Sequence, residues 1–345
     1  MPPRFDKIKE TIMTLRFAIL GAGRIGLVHA RAVAGTPGAR LVAIADPVAA
    51  AAESIKAAYG CDIRTIDAIL ESADVDAVVI CTPTDTHADL IEKFTNAGKA
   101  VFCEKPVDLS LTRVKACLKV VEANKGTVMV GFNRRFDPDF MAVKAAIDAG
   151  TIGDVEMITI TSRDPGAPPA DYITRSGGIF RDMTIHDFDM ARWLLGDEVE
   201  TVMAAASVLT DAKIGALGDF DSVNVILRTA SGKQAIITNT RRATYGYDQR
   251  IEVLGSKGMA QAENQSENRV VIADKSGFHA ATLLNFFVTR YIAAYANEIA
   301  AFVAAVKDGT PTPTTTQDGL MALALADAAL KSVADGRAVK LAEVL

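Results

Sequence analysis

The chain has 345 residues but only four cysteines, Cys61, Cys81, Cys103 and Cys117, and no two form a C-x-x-C pair. That scarcity excludes a disulfide scaffold and a thiolate metal knot. Reduced, buried thiols of a cytoplasmic protein are expected instead. No run of Lys or Arg occurs and the formal net charge is −5, which argues against nucleic acid or an anionic membrane as the main partner. No apolar stretch reaches the ~20 residues that a membrane span needs. The N-terminus lacks the apolar core of a signal peptide. Residues 1–12 are polar and of mixed charge, and Met13 stands just before the first apolar run, so 1–13 are expected to be either a disordered extension or a stretch ahead of the true start site. Internal repeats and low-complexity linkers are missing as well, so the domains should be closely joined. What remains is 50% hydrophobic and 23% charged, the composition of a globular enzyme long enough for two domains.

The first third alternates short apolar runs with helical patterns. Leu15 to Leu20 is a buried-strand run that enters Gly21-Ala22-Gly23-Arg24-Ile25-Gly26, and a helical pattern follows. A G-x-G-x-x-G turn between strand and helix is a dinucleotide fingerprint. Gly21 permits the tight turn, Gly23 lets the backbone approach a pyrophosphate, and Gly26 lets helix and strand pack closely. The helix N-terminus offers free N–H groups to the anion. A second strand, 40–45, ends in Asp46, placed to hydrogen-bond a ribose and to repel a 2′-phosphate, and Pro47 follows where an Arg would be needed to accept one. NAD is therefore expected over NADP. Further strands at 77–80, 100–103 and 128–131 end in Thr82-Pro83-Thr84 (with His87 opening the next helix), Glu104-Lys105-Pro106 and Asn133-Arg134-Arg135. Carboxyl ends of parallel strands face the ligand crevice, which makes these residues candidates.

From Asp154 the apolar period becomes two, and strand-like runs recur at 201–209, 222–229, 234–240, 249–254 and 269–273. Short turns between them indicate a largely antiparallel sheet with one face free to pack elsewhere. Helical patterns at 291–306 and 317–333 close the chain.

Between the first two strands of this region lies Ile179-Phe180-Arg181-Asp182-Met183-Thr184-Ile185-His186-Asp187-Phe188-Asp189. A helix here puts Asp182 and His186 at i and i+4 on one face, with Asp189 one turn on. A histidine beside carboxylates suits a general base near neutral pH. Zinc ligation by the same three residues is the alternative.

These motifs together resemble the glucose–fructose oxidoreductase, inositol dehydrogenase and rhizopine-catabolism family. The resemblance rests on Gly21-x-Gly23-Arg24-Ile25-Gly26, Asp46, Thr82-Pro83 with His87, Glu104-Lys105-Pro106 and Asp182-x-x-x-His186, and it runs from Leu15 onward. Within the family, residues 131–138, 162–165, 177–192 and 245–250 are most similar to bacterial myo-inositol 2-dehydrogenases. The resemblance implies an α/β protein: a Rossmann NAD-binding domain, then an α/β domain with an open, mostly antiparallel sheet. Expected boundaries are 1–131, 132–310 for substrate and oligomerisation, and a returning C-terminal helix and tail over 311–345. A homotetramer built partly through the sheets is implied too. Lys105, Asp182 and His186 match the family's catalytic Lys, Asp and His, and Asn133 stands where related inositol dehydrogenases can carry Met.

The chemistry expected is NAD-dependent oxidation of a secondary hydroxyl of a cyclic polyol, which needs a base and a positive group for the developing alkoxide. His186 is the expected base, Lys105 the positive group and Asp182 the residue that orients them. Asn133, Arg134, Asp164, Asp189 and Tyr245 are candidate partners for substrate hydroxyls. Oxidation of another inositol isomer or of a sugar is the nearest alternative. A non-catalytic NAD sensor on the same fold is the alternative of another class.

Overall fold

The computed structural model describes residues 14–345, so the expectation for 1–13 lies outside the described residues. The first domain alternates β1 (Leu15–Leu20), α1 (Arg24–Gly35), β2 (Ala39–Ala45), α2 (Ala49–Tyr59), β3 (Asp62–Ile63), α3 (Ile66–Glu71), β4 (Ala77–Ile80), α4 (His87–Asn96), β5 (Ala100–Glu104), α5 (Leu111–Ala123) and β6 (Val128–Gly131). The strands are all parallel, in the order β3-β2-β1-β4-β5-β6. Successive β1 residues feed two cores: Phe17 and Ile19 pack with one apolar cluster, Ala18 and Leu20 with the other. A sheet covered on both faces needs such a continuous apolar run. The order reverses between β1 and β4, and the crevice at that switch point is where an open α/β sheet binds its ligand.

The second domain contains α6 (Pro138–Asp148), β7 (Val155–Arg163), α7 (Ala170–Ser176), a π-helical turn (Phe180–Thr184), α8 (Ile185–Leu195), β8 (Val199–Ser207), α9 (Ala212–Ala216), β9 (Ser222–Thr229), β10 (Gln234–Thr240), β11 (Asp248–Gly255) and β12 (Gly258–Ala262). A hairpin of β13 (Val271–Asp274) and β14 (Gly277–Ala280) follows, then α10 (Phe287–Arg290), α11 (Ile292–Asp308), α12 (Thr316–Asp335) and β15 (Val339–Lys340). The seven-stranded sheet runs β12-β11-β7-β10-β9-β8-β15. Its neighbours are antiparallel except β7 and β10, which are parallel. The strand expected at 269–273 belongs instead to the separate hairpin.

One face of this sheet packs on α8 and α12. On the other, Met203, Ile226 and Ile236 stand in register across β8, β9 and β10 and are 52%, 45% and 38% exposed. The C-terminal segment touches both domains. Thr314 pairs with Val130 at the edge of the Rossmann sheet, through the Val130 N–H at 3.0 Å and the Val130 carbonyl at 2.6 Å. Val339 and Lys340 then join the second sheet at β8, so the tail does not simply return to the first domain.

Candidate active site

The glycine turn has the shape its composition demands. Gly21 has φ +99°, and a Cβ there would lie 2.6 Å from the Cys81 carbonyl oxygen. A Cβ on Gly26 would lie 2.0 Å from the Gly21 carbonyl oxygen. A Cβ on Gly23 would meet nothing within 4 Å, so the turn keeps open space in front of the N-terminus of α1. Arg24 is exposed there and Ile25 half-buried. Asp46, at the end of β2, accepts the Ala22 N–H at 2.6 Å and the Val48 N–H at 2.7 Å. The carboxylate thus ties the glycine turn to β2, and its remaining lone pairs suit ribose hydroxyls. Beside it lies a cavity of about 590 Å³ whose lining includes Glu53, Lys56, Asp62 and Arg64. This open turn, anion-seeking helix end and carboxylate fit NAD. Thr82, Pro83 and Thr84 follow β4, next to the turn through Cys81.

Lys105 leaves the end of β5 and crosses to the second domain. Its ammonium donates to the Asp182 backbone carbonyl at 2.8 Å and lies 3.4 Å from Asp182 Oδ1. Asp182 stands in the π-helical turn rather than in regular α-helix, so the spacing expected for 179–195 is altered at its start. A π-turn shifts the backbone ladder from i+4 to i+5 and often marks a functional site, and here the Asp182 carbonyl receives a side-chain donor. The regular helix runs from Ile185 to Leu195 and stops at Gly196 in the left-handed conformation. His186, in its first turn, is half-buried, with Phe132 edge-on to its ring at 6.3 Å. Its Nδ1 is sealed from solvent with no partner. Burial, then the positive charges of Lys105 and Arg134, hold its pKa well below the usual histidine range. The ring is therefore neutral and able to accept a proton.

Two groups at this site were not expected from the sequence. The Tyr172 hydroxyl, from α7, donates to Asp182 Oδ1 at 2.8 Å. Arg241, 1% exposed, stands 3.5 Å from Asp182 Oδ2 and 3.7 Å from Asp219 Oδ2. The available signals were slight: Tyr172 follows Pro168-Pro169, and Arg241 follows β10, the strand parallel to β7. Asp164, just beyond β7, does join the group. Burial, opposed by Arg241 and reinforced by Asp182, pushes its carboxyl up to about 7.

Several expected contacts are placed elsewhere. His87 is buried, with Nδ1 2.8 Å from the Pro106 carbonyl and Nε2 2.8 Å from the Thr82 carbonyl. Both ring nitrogens are engaged, so it braces two strand-end loops. Glu104 lies beneath the site, bonded to His29 Nε2 at 2.7 Å and to the Lys105 N–H at 3.2 Å. With His29 and Glu298 it forms a buried group whose ligand atoms lie within 4.8 Å of one another. Burial, then Glu104, raises the Glu298 carboxyl far above the normal range, which keeps it protonated.

Asp189 is 1% exposed, and both its oxygens accept from Arg135, at 2.7 and 2.5 Å. It is an internal ion pair, which removes it from the substrate set and from the zinc triad. Arg134 is likewise committed, to Asp187 and to Ser162 at 2.8 Å. Tyr245 is half-exposed on a loop, accepting from Arg163 at 3.0 Å and donating to Asp248 at 2.6 Å. No hydrogen bond joins it to the Lys105–Asp182 pair. Asn133, 4% exposed, opens a 3-10 turn directly after β6.

Comparison with known proteins agrees with this architecture. Residues 15–132 match the oxidoreductase family with the NAD-binding Rossmann fold, and residues 140–261 match the GFO/IDH/MocA C-terminal domain. Inositol 2-dehydrogenase of Rhizobium meliloti is 66% identical over 330 residues, covering 96% of this chain and 100% of that protein. Myo-inositol 2-dehydrogenase of Thermotoga maritima is 45% identical over 333 residues, with 96% and 100% covered. The crystal structure of scyllo-inositol dehydrogenase from Lactobacillus casei, with bound NAD(H) and scyllo-inositol, superposes with a TM-score of 0.88 at 31% identity, covering 95% of this chain and 99% of that one. With family matches over both domains and relatives aligned along their full length, the chain belongs to the glucose–fructose oxidoreductase, inositol dehydrogenase and rhizopine-catabolism (GFO/IDH/MocA) family of NAD-dependent oxidoreductases.

Proposed function

We propose that the protein is an NAD-dependent inositol 2-dehydrogenase that oxidises one secondary hydroxyl of a cyclic polyol, with myo-inositol yielding 2-keto-myo-inositol (scyllo-inosose). The observation that carries this is the meeting of Lys105, from the end of β5 on the same edge of the Rossmann sheet as the glycine turn, with Asp182 in the turn that leads to His186. NAD, when bound, supplies the hydride acceptor. Gly21, Gly23, Arg24, Ile25 and Gly26 hold its pyrophosphate, Asp46 its ribose, and Thr82, Pro83 and Thr84 border it. The neutral His186 takes the hydroxyl proton at Nε2, since Nδ1 is sealed. The Lys105 ammonium stabilises the oxygen as negative charge develops on it. Asp182 fixes Lys105 through its carbonyl and its carboxylate. Asn133 and Asp164 are the partners assigned to neighbouring hydroxyls.

We further assign a homotetramer, supported by the row of exposed apolar residues on the open sheet face. A cytoplasmic location is supported by four cysteines that are all buried and unpaired. The test of function is NADH formation across myo-, scyllo- and D-chiro-inositol, glucose and xylose. Turnover is expected with an inositol, and no turnover of any inositol would refute the assignment.

A further inference from the structure

We propose that Tyr172 is a positioning residue for this reaction, acting through Asp182 while its ring forms one wall of the polyol site. The proposal rests on the reading of Lys105, Asp182 and His186 as the reacting set. The Asp182 carboxylate has three hydrogen-bonding or ion-pair partners. Oδ1 lies 2.8 Å from the Tyr172 hydroxyl but 3.4 Å from Lys105 Nζ, and Oδ2 lies 3.5 Å from Arg241. The phenol makes the shortest of these contacts. A hydroxyl donating to an ionised carboxylate is also a strong, directional hydrogen bond. Tyr172, rather than either cation, therefore sets the carboxylate's orientation. That leaves Lys105 loosely paired with the carboxylate and firmly held by the Asp182 carbonyl at 2.8 Å, so its remaining N–H groups can aim at a substrate oxygen.

The tyrosine is fixed from behind. The next residue, Ile173, is 4% exposed and Ser176 is 7% exposed, so α7 is anchored while Tyr172 itself is 48% exposed. The Pro165-Gly166-Ala167-Pro168-Pro169 approach restricts the backbone further. A half-exposed ring next to the reacting carboxylate offers an apolar surface to the C–H face of a cyclitol. Burial, then Asp182, raises the phenol pKa, so Tyr172 stays a donor across the working pH range and is not a second base.

Hydroxyl and ring make separable contributions. Tyr172→Phe removes only the oxygen, and kcat should fall about tenfold, the scale of one hydrogen bond to a charged group, while KM for myo-inositol and for NAD stays within about twofold. The primary isotope effect with myo-inositol deuterated at C2 should rise in this variant, because the chemical step becomes slower relative to release. Tyr172→Ala removes the wall as well and should also raise KM for myo-inositol by about tenfold. Unchanged NADH binding by fluorescence and an unchanged melting temperature in the Phe variant show that fold and cofactor site are intact. A Phe variant with wild-type kcat and isotope effect overturns the proposal. A raised KM at unchanged kcat in that variant also overturns it, in favour of direct substrate contact by the hydroxyl. Lys105→Met, run in parallel, separates the two readings. If it keeps wild-type kcat, the reacting set itself is wrong. If it is inactive while Tyr172→Phe behaves as wild type, only the role of Tyr172 falls.

Discussion

Asp164→Asn should erase the acid limb of the pH profile. Two groups in the site titrate in opposite directions. Burial, then Lys105 and Arg134, push His186 well below its ordinary value, so it is neutral near pH 7. Burial, reinforced by Asp182 and Asp187 against the pull of Arg241 and Arg134, pushes Asp164 up from 3.8 to about 7. The group that changes charge near neutrality is therefore Asp164. When ionised, it accepts a hydrogen bond from the substrate hydroxyl assigned to it more strongly than the protonated carboxyl does. Log kcat/KM for inositol oxidation should rise with unit slope up to about pH 7 and then level. In the asparagine variant this limb should vanish, with a plateau lowered by about tenfold for the lost charge. The assay is NADH absorbance in buffers of constant ionic strength.

Stability gives an independent check. The folded pKa of about 7 lies above the unfolded value, so the folded state binds more protons between about pH 4 and pH 7, and stability falls as pH rises through that window. The difference corresponds to at most about 4 kcal/mol, reduced because Asp164 is partly open to solvent. The variant should melt higher than wild type at about pH 8 and alike at about pH 4. A limb that persists near pH 7 in the asparagine variant, together with an unchanged melting temperature at high pH, would refute the reasoning.

Other outcomes follow from individual contacts. Lys105→Met should lower kcat by about a thousandfold, with NADH binding by fluorescence unaffected, since it removes the charge that stabilises the developing alkoxide. Gly26→Ala sets a Cβ 2.0 Å from the Gly21 carbonyl oxygen, so the turn must deform, and calorimetry should show NAD affinity weakened at least about tenfold. Asp46→Ser should lose NAD affinity yet gain little kcat/KM with NADP. The nearby Arg64 is already held by Asp74 at 2.7 Å and Asp62 at 2.8 Å, so only further Asp74→Asn and Asp62→Asn changes together should release it for a 2′-phosphate. Asp189→Asn leaves Arg135 with a weakened buried pair, and chemical denaturation should show a loss of about 3 kcal/mol.

The Rossmann half was legible because its signals are local. Leu15–Leu20, the glycine turn and Asp46 lie within one strand–helix–strand unit, and steric demands at Gly21 and Gly26 leave no other residue type in those places. The second sheet was legible as a set of strands but not as an order. Alternation reveals which residues face the core, but nothing local tells β7 to lie parallel to β10, which is more than seventy residues away in the chain. Strand β12 was missed because Gly258-Met259-Ala260-Gln261-Ala262 has small or polar residues at an edge, without an apolar period.

The acidic row at the start of α8 shows where sequence reasoning stops. Asp182, Asp187 and Asp189 are the same residue type within eight positions, and only Asp182 meets Lys105. Arg134 and Arg135, adjacent in the turn after β6, take Asp187 and Asp189 out of contention. A buried arginine–carboxylate pair is costly to break, so the carboxylates it engages cannot also serve a ligand. The carboxylate left for chemistry is the one whose oxygens meet a phenol and two cations at 2.8 to 3.5 Å, and whose backbone sits in a π-turn that presents its carbonyl to Lys105. That choice is made by four basic partners some fifty to eighty residues distant, with Tyr172 ten residues away as the one nearer contact. Spacing therefore brought His186 and Asp182 together on the page, while the two arginines decide in the fold which acid remains for Lys105.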